Sequence, residues 1–493
     1  MRKLPLLLTA ACLLASCKTV GPNFATPAAP PPQAGYASDG QGRAALGEGP
    51  GAEWWKSFGS PELNAAVEKA LAANHSLAAS IATLERAKAH IDAVVGRSKP
   101  QINANGRAEY QQINLNAFGF SPDAFGVGGG AGNFTISNPH FQLYTLGAGV
   151  SYDLDLFGKH RREREQALAE AEAQQRQTEA AHLLIAGRVT QQVIAIAALS
   201  DRIRTERALL AEDDRNVELT QARQRGGIGT MVEVLSAQGQ QASDRANLPV
   251  LEQQLADGRA QLAVLEGISP AELGPTDFSL DRMTLPAQVP VALPSALVHK
   301  RPDIQEAEAR LHAATAAVGV ATANLYPDIS IGASISQAAD KPWNVFNGNT
   351  TSYDIFGGIM APIFHGGTLK AEKRGAQAGL RASAEQYQQV VLEAFGQVSG
   401  LLSALSTDRD ALAAQTTSSQ IAERSLYLSR RSFQVGNSGI LQVLDASRAY
   451  QRAQLSLLEA RSRQFYNVAR LQSATAGGWI GDPKAVAANT PAP

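Results

Sequence analysis

"LYTLGAGVSYDLDLF", residues Leu143 to Phe157, alternates along its whole length. Tyr144, Leu146, Ala148, Val150, Tyr152, Leu154 and Leu156 fall on one side, and Thr145, Ser151, Asp153 and Asp155 on the other. A period of two marks a β-strand with one apolar and one polar face. Directly after it, from Gly158 to Leu248, there is no proline, and Ala, Gln, Glu, Arg and Leu dominate. These are strong helix formers. A helix from Lys159 to Arg225 would hold about 67 residues and, at ~1.5 Å per residue, reach roughly 100 Å. No single globular domain needs such a rod, so it points to a coiled-coil or tubular assembly whose Ala-rich faces approach closely.

Three further segments alternate. In "QINANGRAEY" (Gln101–Tyr110), Ile102, Ala104, Ala108 and Tyr110 oppose Gln101, Asn103, Asn105, Arg107 and Glu109. "DISIGASIS" puts Ile329, Ile331, Ala333 and Ile335 on one side, and "YDIFGGIMAPIF" (Tyr353–Phe364) is less regular. Segments of about ten residues, apolar on one face and polar on the other, fit a transmembrane β-barrel. They also fit four strands of a soluble sandwich. Gly-, Asn- and Ser-rich stretches, Gln111–Phe141 and Gln337–Ser352, link the strand pairs and read as exposed loops. No run approaches the ~20 apolar residues of a membrane helix, so a membrane crossing would use strands. Four strands cannot close a barrel, whose working minimum is about eight. Lipid tolerates no open sheet edge, so copies of the chain must pool their strands, two giving eight and three giving twelve.

The chain writes one unit twice. "SPELNAAVEKAL", from Ser60, opens a helical run stopped by Pro100; Ser60 suits an N-cap and Pro61 the first helical position. "LPSALVHKRPDIQEAEARL", from Leu293, opens a second run stopped by Pro327. "ARQRGGIGTMVEVLSAQGQ" (Ala222–Gln240) and "SFQVGNSGILQVLDASRAY" (Ser432–Tyr450) are two copies of a Gly-broken helical turn. Gly226, Gly227, Gly229, Gly436 and Gly439 permit tight reversals at the tips of the rods. The expected organisation is a signal peptide at 1–16, an extended lipid-anchored segment at 17–52, repeat one at 53–275 and repeat two at 276–477. Repeat one would contain a β-hairpin at 101–157 and a tip near 226–230; repeat two a β-hairpin at 328–364 and a tip near 436–440. A disordered tail would occupy 478–493.

Met1-Arg2-Lys3 followed by "LPLLLTAACLLA" reads as a secretory signal. It ends in "LLASC", similar to the bacterial lipobox, so Cys17 is the expected lipidation site, carrying diacylglycerol and an N-acyl chain. Lys18 in place of Asp implies outer-membrane sorting. The chain has 493 residues, 44% hydrophobic and 18% charged, with net charge −1 and two cysteines. Cys12 would leave with the signal and Cys17 be acylated, so no disulfide is expected. The charge balance offers nothing for nucleic acid.

Several motifs together resemble the TolC-type outer-membrane efflux channels, in particular the lipidated members of resistance-nodulation-division pumps. They are "EWWKSFGSPELNAAVEKALAANHSL" from Glu53, "YDLDLFGKHRRE" from Tyr152, "HKRPDIQEAEARL" from His299, "YPDISI" from Tyr326, "PIFHGG" from Pro362 and the hairpin at Gly436. The resemblance implies an α+β membrane protein: a homotrimer with a twelve-stranded barrel, four strands per chain, continued by a periplasmic α-helical barrel with a mixed equatorial domain. It implies a passive exit duct for small toxic compounds, with a periplasmic adaptor and an inner-membrane pump as partners and no cofactor. By motif, Asp445 falls on an inner acidic ring and Leu441 on an apolar constriction. Gln442 stands where some relatives carry a second Asp. Phe433 replaces a Tyr and Ser438 an Arg that bond across the tip, leaving Glu233 without its usual partners; Arg448 can pair with Asp445 at i,i+3.

Other features carry no chemistry. Lys300, Arg301, Asp303, Glu306 and Glu308 read as a helix start with ion pairs, "KHRRERE" (Lys159–Glu165) as a solvated helix start, and Trp54, Trp55 and Phe58 as core. The eight His show no metal spacing. No P-loop or Gly-x-Ser-x-Gly occurs, which speaks against an enzyme. A type I protein-secretion duct and a coiled-coil scaffolding lipoprotein are the alternatives; the lipobox weighs against the first and the four alternating segments against the second.

Overall fold

The computed structural model of the chain describes residues 19–28, 36, 44–47, 49–113, 140–275, 277–347 and 351–477. The expected signal, Cys17, most of the first loop and the tail lie outside them. The first half holds β1 (Ala44–Gly47), α1 (Pro61–Ala73), α2 (His75–Arg97), β2 (Gln101–Gln112), β3 (His140–Leu154), α3 (Lys159–Arg225) and α4 (Met231–Leu265). The second holds β4 (Val289–Ala292), α5 (Pro294–Lys300), α6 (Pro302–Ala323), β5 (Asp328–Ala339), β6 (Thr351–Met360), α7 (Thr368–Gln434) and α8 (Ile440–Thr475). Two compact units result, each drawing on both halves: 1–25, 88–169 and 312–381 in one; 26–87, 170–311 and 382–493 in the other.

The first unit is built on an antiparallel sheet of order β2-β3-β5-β6. The register aligns Ile102 with Val150, Val150 with Ala333 and Ala333 with Ile355, so one face is apolar across all four strands. The neighbouring row, Asn103, Gly149, Ser334 and Asp354, belongs to the other, polar face. The irregularity of β6 now has a cause: Phe356 and Met360 fall on the polar face, and the Phe356 ring covers Gly332, where an added Cβ would lie 2.5 Å from Cζ. β2 and β6 each pair with a single strand, so both outer edges of the sheet are unpaired among the described residues. The start of α3 is not simply solvated, contrary to the sequence expectation. The Arg162 side chain is 4% exposed and pairs with Glu165 at 2.6 Å. It also donates to Asn23 Oδ1 at 2.7 Å and to the Val20 carbonyl at 3.2 Å. His312, stacked on Phe24, meets Glu165 at 3.0 Å and completes this tie to the N-terminal segment.

The second unit has one large apolar core. Trp54, Trp55 and Phe58 are core residues, packed with Val189, Val193 and Ile196 of α3 and Phe395, Val398 and Leu402 of α7. Ser60 caps α1 by accepting from the Leu63 amide at 3.2 Å. The first helical run breaks at Asn74, whose side chain accepts from the Ser76 and Leu77 amides at 3.0 and 3.1 Å and so restarts the helix as α2. β1, expected only as extended chain, pairs in parallel with β4. Tyr36 adds to this junction, donating its hydroxyl to the Ala292 carbonyl at 2.7 Å. Within α4, Pro249 is carried through without ending the helix.

α3 and α7 each have 67 residues and contain an 18-residue window of mean hydropathy 1.5 and 1.3 respectively. Both are apolar enough to cross a membrane by length and composition, more so than the sequence reading allowed. Half of the α3 window and 39% of the α7 window are buried within the protein. Their apolar residues serve as core, as Val189 and Val398 show.

Candidate functional site at the helical tip

Two short turns, one in each half, hold the residues singled out from sequence. At the end of α3, the Ile228 and Gly229 amides both return to the Arg223 carbonyl, at 3.0 and 3.1 Å. Gly227 supplies the left-handed backbone, with φ of +72°. A Cβ on Gly229 would lie 2.9 Å from the Gln224 nitrogen, so that position is closed to side chains. Gly226 has ordinary contacts and no positive φ, so nothing local demands glycine there. At the end of α7, Gly436 has φ of +81° and the Asn437 amide bonds the Ser432 carbonyl at 2.9 Å. Gly439 is the extended N-cap of α8 in open space, again without a local requirement for glycine.

Glu233 is committed to its own helix. Thr230 accepts from the Glu233 amide at 3.3 Å while Glu233 accepts from the Thr230 amide at 2.9 Å, forming a capping box for α4. Ser438 Oγ is buried without a hydrogen-bond partner among the described residues. Among the described residues, neither side chain bonds across to the other turn. Phe433 makes a different bridge: the Arg223 guanidinium of the first turn sits 4.7 Å above its ring centroid.

Beneath the turns lies a small apolar cluster. Val217, Ala237, Leu426, Ile440, Val443, Leu444 and Ala446 are buried together, with Phe433 and Tyr450 packed on them. Since Val443 and Leu444 face inward, the other side of α8 presents Leu441, 44% exposed, and Asp445, with 77% of its side chain exposed. Arg448 pairs with Asp445 at 3.5 Å. It also crosses to α4, donating to Gln240 Oε1 at 2.8 Å and to the Ser236 carbonyl at 3.4 Å. One arginine thus joins the exposed acid to the opposite hairpin.

Next to this cluster is a polar layer that sequence reading missed. Asp213 of α3 and Gln451 of α8 are buried, and Gln451 donates to Asp213 Oδ1 at 3.1 Å. Gln240 donates to Asp244 Oδ2 at 2.8 Å and to Gln451 at 3.4 Å. Burial, with the neighbouring Asp244 carboxyl second, pushes Asp213 up to about 7. Scattered polar residues in a mostly polar helix show no periodicity that would mark such a layer. Among the described residues no group of three or more His, Cys, Asp or Glu is placed to hold a metal ion.

The family profile "Outer membrane efflux protein" matches residues 66–267 and 293–477. The pyoverdine export outer membrane protein OpmQ of Pseudomonas aeruginosa is 29% identical over 96% of this chain and 98% of its own length. The probable outer membrane lipoprotein SilC of Salmonella typhimurium is 27% identical over 95% and 97%. The solved outer-membrane channel OprN superposes with a TM-score of 0.82 at 25% identity, covering 94% of this chain and 100% of that one. The chain is an outer-membrane exit duct and belongs to the outer membrane efflux protein family.

Proposed function

We propose that three copies of the chain close one twelve-stranded barrel in the outer membrane and one helical tunnel in the periplasm. The observation that carries this reading is the sheet of order β2-β3-β5-β6, apolar on one face and unpaired at both edges among the described residues. Such edges are unsupportable in lipid unless β2 of one copy pairs with β6 of the next. The apolar rows then face lipid and the polar rows line the lumen. Lipid on Cys17 anchors the N-terminus, and the docking of residues 20–23 on Arg162 supports a fixed anchor path.

The tip closes the periplasmic end. Three Asp445 carboxylates form a cation-favouring ring and three Leu441 side chains an apolar constriction, a reading supported by their shared exposed side of α8. A periplasmic adaptor docks there, and an inner-membrane resistance-nodulation-division pump supplies the energy. Passage is passive and the chain performs no catalysis and uses no cofactor. Small toxic molecules are the cargo; relatives named for pyoverdine export and toluene efflux support this class. The test is electrophoresis of detergent-extracted protein with and without boiling, followed by planar-bilayer recording. A heat-modifiable trimer that conducts ions is expected. A monomer without ion current would refute the assembly.

A further inference from the structure

The polar layer connects the exposed acid of the tip to a buried carboxylate by an unbroken chain of contacts. Asp445 meets Arg448 at 3.5 Å, Arg448 donates to Gln240 at 2.8 Å, and Gln240 donates to Asp244 at 2.8 Å. Gln240 also donates to Gln451, which holds Asp213 Oδ1 at 3.1 Å. Asp213 is 3% exposed, and its other oxygen, Oδ2, has no hydrogen-bond donor among the described residues. The neighbouring Asp244 carboxyl adds to the effect of burial and makes the ionised form of Asp213 still less favourable. A buried carboxyl oxygen without a donor is far better tolerated in the neutral acid than in the anion.

The surrounding charges do not neutralise Asp213. On α3, Arg204 is engaged by Asp201, and Glu206 is itself buried and pushed up by desolvation and by Asp244. Asp214 adds negative charge to Asp213 and is paired with Arg245 of α4. Arg430 of α7 is spent on Glu212 at 2.6 Å. From α8, Gln451 contributes a neutral amide, and Arg448 reaches Asp445 and Gln240. An ionised Asp213 is therefore a buried charge without a countercharge, which the packing of α3, α4 and α8 disfavours.

We propose that Asp213 carries a proton while the tip is closed, and that its loss, passed through Gln451 and Gln240 to Arg448, frees the second hairpin from the first. The tip is then a proton-controlled catch, a role that rests on the reading of the tip as the gate. The sign follows from which state holds the proton. Closed, Asp213 keeps its proton until about pH 7. Opening hydrates the carboxyl and returns it to the usual carboxylate range, so the open state binds fewer protons and rising pH favours opening. Each proton released shifts the open-to-closed ratio by up to about tenfold per pH unit within that window.

The test uses full-length protein in planar bilayers, recorded between about pH 5 and about pH 8, the span that brackets the shifted carboxyl. Wild type is expected to gain open-state conductance several-fold as pH rises. Asp213→Asn, permanently neutral and of equal size, holds the low-pH conductance throughout while still running as a heat-modifiable trimer. Should that variant fail to assemble, Asp244→Asn, which removes the neighbouring carboxyl, is expected to move the conductance profile to lower pH. A pH profile that is flat in wild type, or unchanged in both variants, overturns the catch. So does a profile abolished by Asp445→Asn alone, which places the titration in the pore ring. If Asp445 and Leu441 variants leave conductance untouched as well, the gate reading itself has failed.

Discussion

Asp445 and Arg448 lie one turn apart on α8, and their contact at 3.5 Å is of the i,i+3 kind that sequence alone allows. With 77% of its side chain exposed, Asp445 has no structural duty in the core, so its removal should spare the fold. Asp445→Ala is expected to raise single-channel conductance and lower cation selectivity in bilayers, with trimer yield unchanged. Unaltered conductance and selectivity would reject the acidic ring. Glu233 teaches the opposite lesson. The family resemblance suggested a cross-tip partner, yet Thr230, three residues earlier, holds it in a capping box. Arg223 became visible only through folding, because nothing in its neighbourhood announces that Phe433, 210 positions later, will lie under its guanidinium.

The pairs of helices joined by each turn hold together through a short apolar zipper followed by a polar layer. Ile440 is fully buried in that zipper, whereas Leu441 is 44% exposed. Ile440→Ala should cost about 2–4 kcal/mol locally, since it removes buried methylenes and leaves a cavity. Faster tryptic cleavage at Arg223, Arg225 and Arg431 is the readout, and Leu441→Ala is the control expected to leave the rate alone. Equal rates for both variants would show that the zipper does not secure the tip. The bounds of α3 were readable, because propensity and the absence of proline act residue by residue. β1 was not, since four residues of Ala, Leu and Gly form a strand only where β4 offers them a partner. The buried Arg162 escaped notice for the same reason: a charge run looks solvated until a distant carbonyl is brought to it.

For the whole molecule, the consequence of the sheet register is a rule about which face tolerates charge. Ile355 is 82% exposed on the apolar face, and Asn105 belongs to the polar face. Ile355→Lys is expected to cost about 2–4 kcal/mol if that face meets the bilayer interior. It should abolish the heat-modifiable band, while Asn105→Lys retains it and only shifts ion selectivity. Equal tolerance of the two lysines would remove the membrane assignment of the sheet. Alternation, helix propensity, glycine turns and the doubling of the unit are local or periodic properties, so the amino-acid sequence by itself determined the class of fold and the insufficiency of four strands. Which amide meets the buried Asp213, and which arginine spans two hairpins, depends on side chains 238 and 208 residues apart meeting at hydrogen-bond distance. Only tertiary structure decides that, because such contacts obey the register of packed helices and leave no period in the chain.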